Sequence, residues 1–301
     1  WGVHIIRTRP RESRTQFSWA KVSRDNSEFM SQAGILKGFK KLKKGKQLEL
    51  LPYVIGSQFS YRNDPSDPDS PFINDKVKGD LGLGIKYGFS SNLTGEISFN
   101  PDFSQVESDA AQINVNSSSA VFYPEKRPFF LDGANIFNSY INVVYTRMLN
   151  NPLYTAKLIG KIDDIDVGYL MGYDQSTPYI IPTKYGSDFI QTDLRSFGNA
   201  LRLKKSLKGS SFIGFIGTDH ETGDSYNRVA GFDGSFNFAE KYYFNWEALG
   251  YFTKEINDTS IYDNSVKINS KGNDAGFNGE KLTGFGGTFS LVRSSRHWNG
   301  E

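Results

Sequence analysis

The chain has 301 residues, contains no cysteine and carries a net charge of +2, from 35 basic and 33 acidic residues. The absence of cysteine excludes disulfides and thiolate metal sites, and the balanced charge leaves no electrostatic footprint for nucleic-acid binding. The mean hydropathy is −0.48 and no apolar run reaches eighteen residues, so no transmembrane helix is proposed. These values still fit a membrane barrel, whose strands carry apolar residues at alternate positions only.

The sequence opens in a strand-like stretch, which indicates a slice of a longer protein. We expect residues 15–301 to form one β-domain, cut from a longer protein whose export signal and further strands lie outside the sequence. Alternation and turn residues predict thirteen strands in it. These are expected near 15–23, 30–39, 47–61, 75–89, 92–100, 139–147, 153–162, 165–174, 194–205, 210–219, 227–239, 242–254 and 281–293.

The clearest strand pattern covers residues 76–89, KVKGDLGLGIKYGF. Leu81, Leu83 and Ile85 share one face, whereas Asp80 and Lys86 lie on the other. Its fourteen residues compare with about five or six in an average strand, and a tilted strand crosses a bilayer with about 9–11. The length therefore favours a membrane strand.

The same alternation returns in 165–174, 229–238 and 242–252, and the apolar positions are unusually aromatic, with 24 Phe and 16 Tyr in the chain. We therefore predict an all-β fold, an antiparallel transmembrane β-barrel, with aromatic faces toward lipid and charged faces toward the lumen. The alternative is a soluble barrel or sandwich that buries the aromatic faces in a dry core.

Links between the predicted strands differ in length. Short turns are expected at 90–92, 163–164 and 240–241, and long polar loops at 62–74, 173–191, 219–226 and 254–280. If every predicted strand crossed the barrel in turn, the short turns 90–92 and 163–164 would lie at opposite ends of the barrel. The short and long links would therefore exchange ends midway along the chain. Either 101–147 hides one more strand, at 111–122, or 139–147 does not span the barrel.

Residues 101–137 interrupt the alternation with a polar stretch followed by a charged and aromatic cluster. We expect them to form an irregular insert that folds into the lumen, because irregular backbone is tolerated where it does not face lipid. Glu125, Lys126 and Arg127 are expected to pair with lumen charges, and Phe129 and Phe130 to pack on the wall. The candidate residues of this insert are Asp102, Phe103, Glu107, Glu125, Lys126, Arg127, Pro128, Phe129 and Phe130.

The motif NPDFSQVE at 100–107, then FYPEKRPFFLDG at 122–133 and IF at 136–137, carries a resemblance. Together they resemble an uncharacterised outer-membrane β-barrel family of Gram-negative bacteria. This domain of unknown function follows a family 9-like carbohydrate-binding domain, and the resemblance therefore implies that residues 1–14 are the junction from an N-terminal domain outside the sequence. The resemblance implies location in the cell outer membrane, the lipid bilayer as partner and glycan as a further partner to test. It implies no reaction.

Signals for enzyme chemistry are weak. The sequence assigns no catalytic residue, no cofactor and no metal site, since no histidine pair has ligand spacing. His220, beside Asp219 and Glu221, is expected in an exposed loop. Glu96 and Glu247 are the carboxylates that a glycosidase hypothesis would pair.

The expected function is therefore that of a non-enzymatic outer-membrane barrel, a channel, transporter or anchor with glycans as one cargo to consider. One alternative is a carbohydrate-active envelope hydrolase. Another is a structural component of an export or surface-assembly complex.

Overall fold

The structure is a computed structural model. It describes residues 2–9, 15–22, 29, 32–38, 47–64, 67, 69–101, 124–182, 187–239, 241–262, 272, 274, 276–295 and 299–300.

Most of the described residues form β-strands. The strands are β1 (Gly2–Val3), β2 (Ile6–Thr8), β3 (Gln16–Ser18), β4 (Gly34–Ile35), β5 (Leu48–Ser57), β6 (Ser60–Arg62), β7 (Phe72–Asn74), β8 (Lys78–Ser90), β9 (Leu93–Phe99), β10 (Pro152–Ile162), β11 (Ile165–Asp174), β12 (Pro178–Pro182), β13 (Ser187–Gln191), β14 (Ser196–Ser206), β15 (Phe212–Thr222), β16 (Ser225–Phe238), β17 (Tyr242–Lys254), β18 (Lys281–Ser294) and β19 (Asn299–Gly300). One helical turn, α1 (Pro128–Leu131), and the 3-10 turns Ala134–Phe137 and Thr146–Met148 lie between β9 and β10. In the part of the chain that is described, no helix has the length and apolar character needed to cross a membrane.

Eleven strands form one antiparallel sheet in the order β19-β18-β17-β16-β15-β14-β11-β10-β9-β8-β5. Within this sheet, strands that follow one another in the chain lie side by side, except where the hairpins β6–β7 and β12–β13 intervene. These hairpins form two-stranded sheets of their own, as do β1 with β4 and β2 with β3. Within the described residues, β5 pairs only with β8 and β19 only with β18, so no closed barrel is seen. The all-β, antiparallel prediction is confirmed.

The strongly alternating segments were predicted within a few residues. The 76–89 pattern is β8, and 165–174 has the bounds of β11. Near the N-terminus the described strands are shorter than predicted: among the described residues of 15–23 the strand is β3, and among those of 30–39 it is β4. Short segments without a long partner strand gain few ladder hydrogen bonds, so their alternation does not extend them.

The strand predicted at 139–147 is wrong. These residues form loop and a 3-10 turn, and they lie against the main sheet instead of joining it. The backbone N–H of Ile141 donates to Glu247 Oε2 at 2.6 Å, and Val144 packs on the buried core. The second candidate strand of this region, 111–122, lies outside the described residues.

This correction removes the mismatch between short and long links. Because β9 pairs directly with β10, antiparallel and in register from Leu93–Gly160 to Phe99–Tyr154, the links at 91–92, 163–164, 207–211 and 239–241 all lie at one end of the sheet. The opposite end carries the long links 58–77, 100–151, 175–195 and 255–280.

Three of the loops predicted as long and polar contain regular structure, and 62–74 includes β7. Residues 173–191 include the hairpin β12–β13, and 219–226 are mostly strand, because β15 and β16 continue to a two-residue turn at Gly223 and Asp224. Gly223 has φ +57°, the left-handed backbone that such a tight turn needs. At the end of β15, residues 219–222 are polar on both faces, so composition concealed that part of the strand.

The two faces of the main sheet differ in chemistry and exposure. On one side, here called the apolar face, large hydrophobic side chains are open to the surroundings: Phe285 is 93% exposed, Phe289 80%, Val54 78% and Leu81 72%. In the described residues, no second sheet covers them. The alternative of a sandwich with these rows in a dry core is therefore not what the structure shows.

The other side, here called the charged face, carries Lys86, Glu96, Lys157, Arg202, Asp233 and Glu247. Strand pairing places them on one side, opposite to the phenylalanines. The core of the described residues also lies here, where residues 124–151 cover the sheet. Its buried members are Phe129, Phe130, Phe137, Leu149, Leu170 and Ala200.

Candidate functional site

The candidate site is the segment 124–151, here called the connecting segment, together with the charged face on which it packs. α1 places Pro128 in its first turn, where the missing N–H costs nothing because no helical acceptor is available. Phe129 and Phe130 follow and are buried, with their rings edge-to-face at 5.0 Å. These two rings anchor the segment on the sheet.

Two glycines allow the segment to approach the sheet closely. Gly133 has φ +72°, and a Cβ there would lie 2.8 Å from Ile159 Cδ1 of β10. On the sheet, a Cβ at Gly168 would lie 2.7 Å from Ile136 Cγ2. Since real Cβ atoms do not tolerate such distances, the interface is shaped by both partners.

Arg127 organises the segment internally. Its side chain is 2% exposed, and its guanidinium donates to Glu125 through Nε at 2.8 Å and Nη2 at 2.7 Å. It also donates to the carbonyl oxygens of Leu149 and Thr146, and its Cζ lies 4.1 Å from the centre of the Phe130 ring. One buried cation therefore ties the start of the segment to its end.

The carboxylate of Glu125 is the other half of this arrangement. Burial raises its pKa, but the hydrogen bonds from Arg127 and from Thr146, whose hydroxyl donates at 2.5 Å, outweigh burial and lower the pKa from 4.5 to about 2. Glu125 is therefore ionised throughout the physiological pH range and acts as a structural anion.

Acidification should test this ion pair. Because the pKa of Glu125 is lower in the folded than in the unfolded chain, its contribution to stability is complete above pH 4.5 and is lost as the pH falls toward about 2. The shift corresponds to about 3 kcal/mol. Unfolding free energies measured from pH 7 to pH 2 should show this loss in the wild type and not in Glu125→Gln. Equal pH dependence of both proteins would contradict the assignment.

Lys157 on β10 connects the segment to the sheet. Its ammonium donates to the carbonyl oxygens of Phe129 at 2.5 Å and Asp132 at 3.1 Å, and it lies 3.1 Å from Glu96 Oε2. Lys86 of β8 adds an ion pair to Asp132 Oδ2 at 2.6 Å. Carbonyl oxygens in and just after α1 therefore accept hydrogen bonds from an ammonium group. A cation at this position is favoured by the helix dipole, whose negative end lies at the C-terminus.

A second buried ion pair lies further along the charged face. Arg202 of β14 and Asp233 of β16 are each 1% exposed and form two parallel hydrogen bonds, at 2.5 and 2.7 Å. The pair crosses β15 at Gly214, where a Cβ would lie 2.4 Å from Asp233 Oδ1. The charges therefore meet only because the intervening residue has no side chain.

The sequence-predicted site residues have mixed outcomes. Asp102, Phe103 and Glu107 lie outside the described residues. Lys126 is exposed beside the buried Arg127. The expected pairing with sheet charges is wrong for Glu125 and Arg127, which bond to each other and to the segment's own backbone. Sequence reasoning missed Lys157 and the Arg202–Asp233 pair, since strand alternation identifies a polar face but not its partners.

The residues considered for enzyme chemistry do not converge. Glu96 and Glu247 lie on β9 and β17, with five strands between them in the sheet, and bind different partners, Lys157 and the N–H of Ile141. His220 is not in an exposed loop but in β15, with its Nε2 buried. In the residues that the structure describes, no group of three His, Asp or Glu is arranged to hold a metal ion.

A cavity of about 500 Å³ lies at the end of the charged face that carries the long links. Its walls come mainly from 143–149 of the connecting segment, from β12, from the strands β14–β17 and from residues 255, 256, 274 and 277. It combines aromatic rings with a few polar side chains, as small-molecule sites do.

Comparison with known proteins gives one match. Residues 46–159 match a family described as a domain of unknown function, DUF5916. The matched range includes both motifs that carried the resemblance, 100–107 and 122–133, so the prediction of an uncharacterised domain is confirmed. No curated protein and no solved structure matches the chain. From β5 to β10, the chain is therefore similar to an uncharacterised domain of unknown function.

Proposed function

We propose that this chain forms the membrane-spanning wall of an outer-membrane β-barrel that acts as a channel or transporter, with the connecting segment narrowing its interior. The observation that carries the proposal is the distribution of side chains on the main sheet. Large apolar residues are exposed on one face, and ionised residues are buried on the other. Soluble proteins arrange these classes the opposite way.

Exposure of the apolar face has a natural explanation in a lipid environment. Large contiguous apolar patches on soluble monomers are rare and mark interaction surfaces. Here the exposed residues recur on strands across the sheet, from Val54 on β5 to Phe289 on β18. A surface that extends over most strands of the sheet suits hydrocarbon better than a local protein partner.

Strand length supports the same conclusion. β8 and β17 have 13 residues each, and β16 and β18 have 14. At about 3.4 Å per residue such strands extend over about 45 Å, and a tilt of about 45° brings this to the ~30 Å hydrocarbon thickness of a bilayer. Four short links lie at one end of the sheet, and four long links lie at the other end beside the two-residue turn 223–224. This distribution fits the periplasmic and outer sides of such barrels.

The charged face would then line the interior, which the connecting segment partly fills. Lys157, the Arg202–Asp233 pair and Glu247 would be solvated or paired there instead of facing lipid. Closure requires the edges β5 and β19 to pair with each other or with further strands. Glycans remain a cargo suggested by the family resemblance.

An arginine on the apolar face provides the test. Full-length protein is refolded into phosphatidylcholine vesicles, and unfolding free energies are compared for the wild type, Phe289→Arg and Thr288→Arg. In a bilayer, Phe289→Arg should lower the unfolding free energy by about 2–4 kcal/mol, because the guanidinium enters hydrocarbon. Thr288, the adjacent residue on the charged face, is paired with Glu247 and is the matched control.

The two substitutions separate the environments. Thr288→Arg should change stability little, since the new charge faces Glu247 and the interior. If Phe289→Arg is as well tolerated as Thr288→Arg in vesicles, the apolar face does not contact lipid and the proposal fails.

A further inference from the structure

The cavity at the long-link end has no assigned role and is large enough for a ligand. Its volume of about 500 Å³ lies within the range of small-molecule sites, about 300–1,000 Å³. Tyr145 of the connecting segment, Tyr179 of β12 and Phe277 contribute aromatic rings, and His220 and Glu255 contribute polar side chains. Tyr179 and Phe277 pack edge-to-face at 5.2 Å, so this wall is preformed.

Two acceptor atoms that border the cavity, one on a histidine and one on a glutamate, have no partner among the described residues. His220 Nε2 and Glu255 Oε2 are buried and make no hydrogen bond to any described residue. Buried polar groups are normally hydrogen-bonded, and an orphaned group costs about 1–3 kcal/mol. Two such groups that border one cavity point to a ligand that supplies the missing donors.

The charge around Glu255 is negative. Its pKa is raised to about 7, first by burial and then by the charges of Glu280 and Asp274. Among the described residues, the basic side chain that borders the cavity belongs to Lys254, which strand pairing places beside Tyr226 and Lys281, on the side of the apolar face. Among the described residues, Glu255 Oε2 and His220 Nε2 therefore face the cavity as acceptors without a donor.

We propose that this cavity binds an organic cation, a protonated primary amine carried on a compact apolar or aromatic body. The ammonium group donates to Glu255 Oε2 and to His220 Nε2, which forms the tautomer that accepts. The apolar body fills the space between Tyr145, Tyr179 and Phe277, whose rings also favour a cation. This inference goes beyond the proposed channel or transporter and does not depend on it, because the site is built from the links and strand ends.

The probe is 2-phenylethylamine, and its neutral counterpart is 2-phenylethanol. Binding to the full chain in detergent micelles is measured by isothermal titration calorimetry. The wild type should bind the amine at least roughly tenfold more tightly than the alcohol. Glu255→Gln should weaken amine binding roughly ten- to hundredfold and abolish the preference for the amine over the alcohol. Affinity for the amine should rise between pH 6 and pH 8, as Glu255 ionises and the amine stays protonated.

Two further variants make the test decisive. Glu221→Gln changes an exposed carboxylate that pairs with Arg228 and is absent from the cavity, so binding should not change. His220→Leu should weaken amine binding without harming folding, because it removes an orphaned buried atom. Failure of the wild type to bind the amine, equal affinity for the alcohol, or full affinity in folded Glu255→Gln would each overturn the proposal. None of these results depends on whether the protein inserts into a bilayer, so failure here is distinct from failure of the membrane proposal.

Discussion

Arg127→Ala is expected to lower the unfolding free energy by about 3–5 kcal/mol and to raise the conductance of the protein in planar bilayers. Removal of the guanidinium leaves Glu125 as a buried carboxylate without its main partner, which is the costly way to break a buried ion pair. The carbonyl oxygens of Leu149 and Thr146 lose a donor at the same time. The connecting segment should loosen from the charged face and widen the interior.

Two further variants separate charge from packing. Lys126→Ala removes the neighbouring exposed lysine and should leave both stability and conductance near the wild-type values. The double variant Glu125→Ala/Arg127→Ala should be less destabilised than Arg127→Ala, because no orphaned charge remains. Unchanged single-channel conductance in Arg127→Ala would mean that the segment does not restrict the passage.

Asp233→Ala should also cost about 3–5 kcal/mol, since it leaves Arg202 charged and 1% exposed. Gly214→Ala provides an independent way to disturb the same pair without removing a charge. The new methyl group would lie 2.4 Å from Asp233 Oδ1 and 2.6 Å from Arg202 Nη1, so the ion pair must separate. Both variants should therefore unfold at lower denaturant concentrations.

The exposed pair between Asp219 and Arg228 is the matched control. It joins the same residue types across neighbouring strands, at 2.9 Å, but on the exposed side of the sheet. Asp219→Ala should change the unfolding midpoint little, because exposed ion pairs are solvated in either state. Equal effects of Asp233→Ala and Asp219→Ala would show that burial does not set the strength of the charged-face pair.

Local patterns predicted the sheet well. In 76–89 and 165–174, period-two alternation continues long enough to identify both the strand and its two faces, because side-chain direction in a strand follows from backbone geometry alone. The cluster at Glu125–Arg127 could be recognised in the sequence because it is also local: its central ion pair joins residues two positions apart in the chain.

Other features depend on contacts between distant residues. The β-branched and aromatic residues of 139–147 suggested a strand, but β9 and β10 pair with each other, so this segment packs on the charged face instead. Local propensity does not reveal which strand edges are already occupied.

Composition and alternation established from the residues alone that this is an antiparallel β-protein with one aromatic and one charged face, since both properties follow from the order of residues along a strand. Three-dimensional packing decided which charges meet, as Arg202 meets Asp233 across Gly214, and where the cavity lies, between residues as distant as Tyr145 and Phe277. The reason is physical: burial and ion pairing depend on distances in space, which strand order and register set, and neither is written in any single segment.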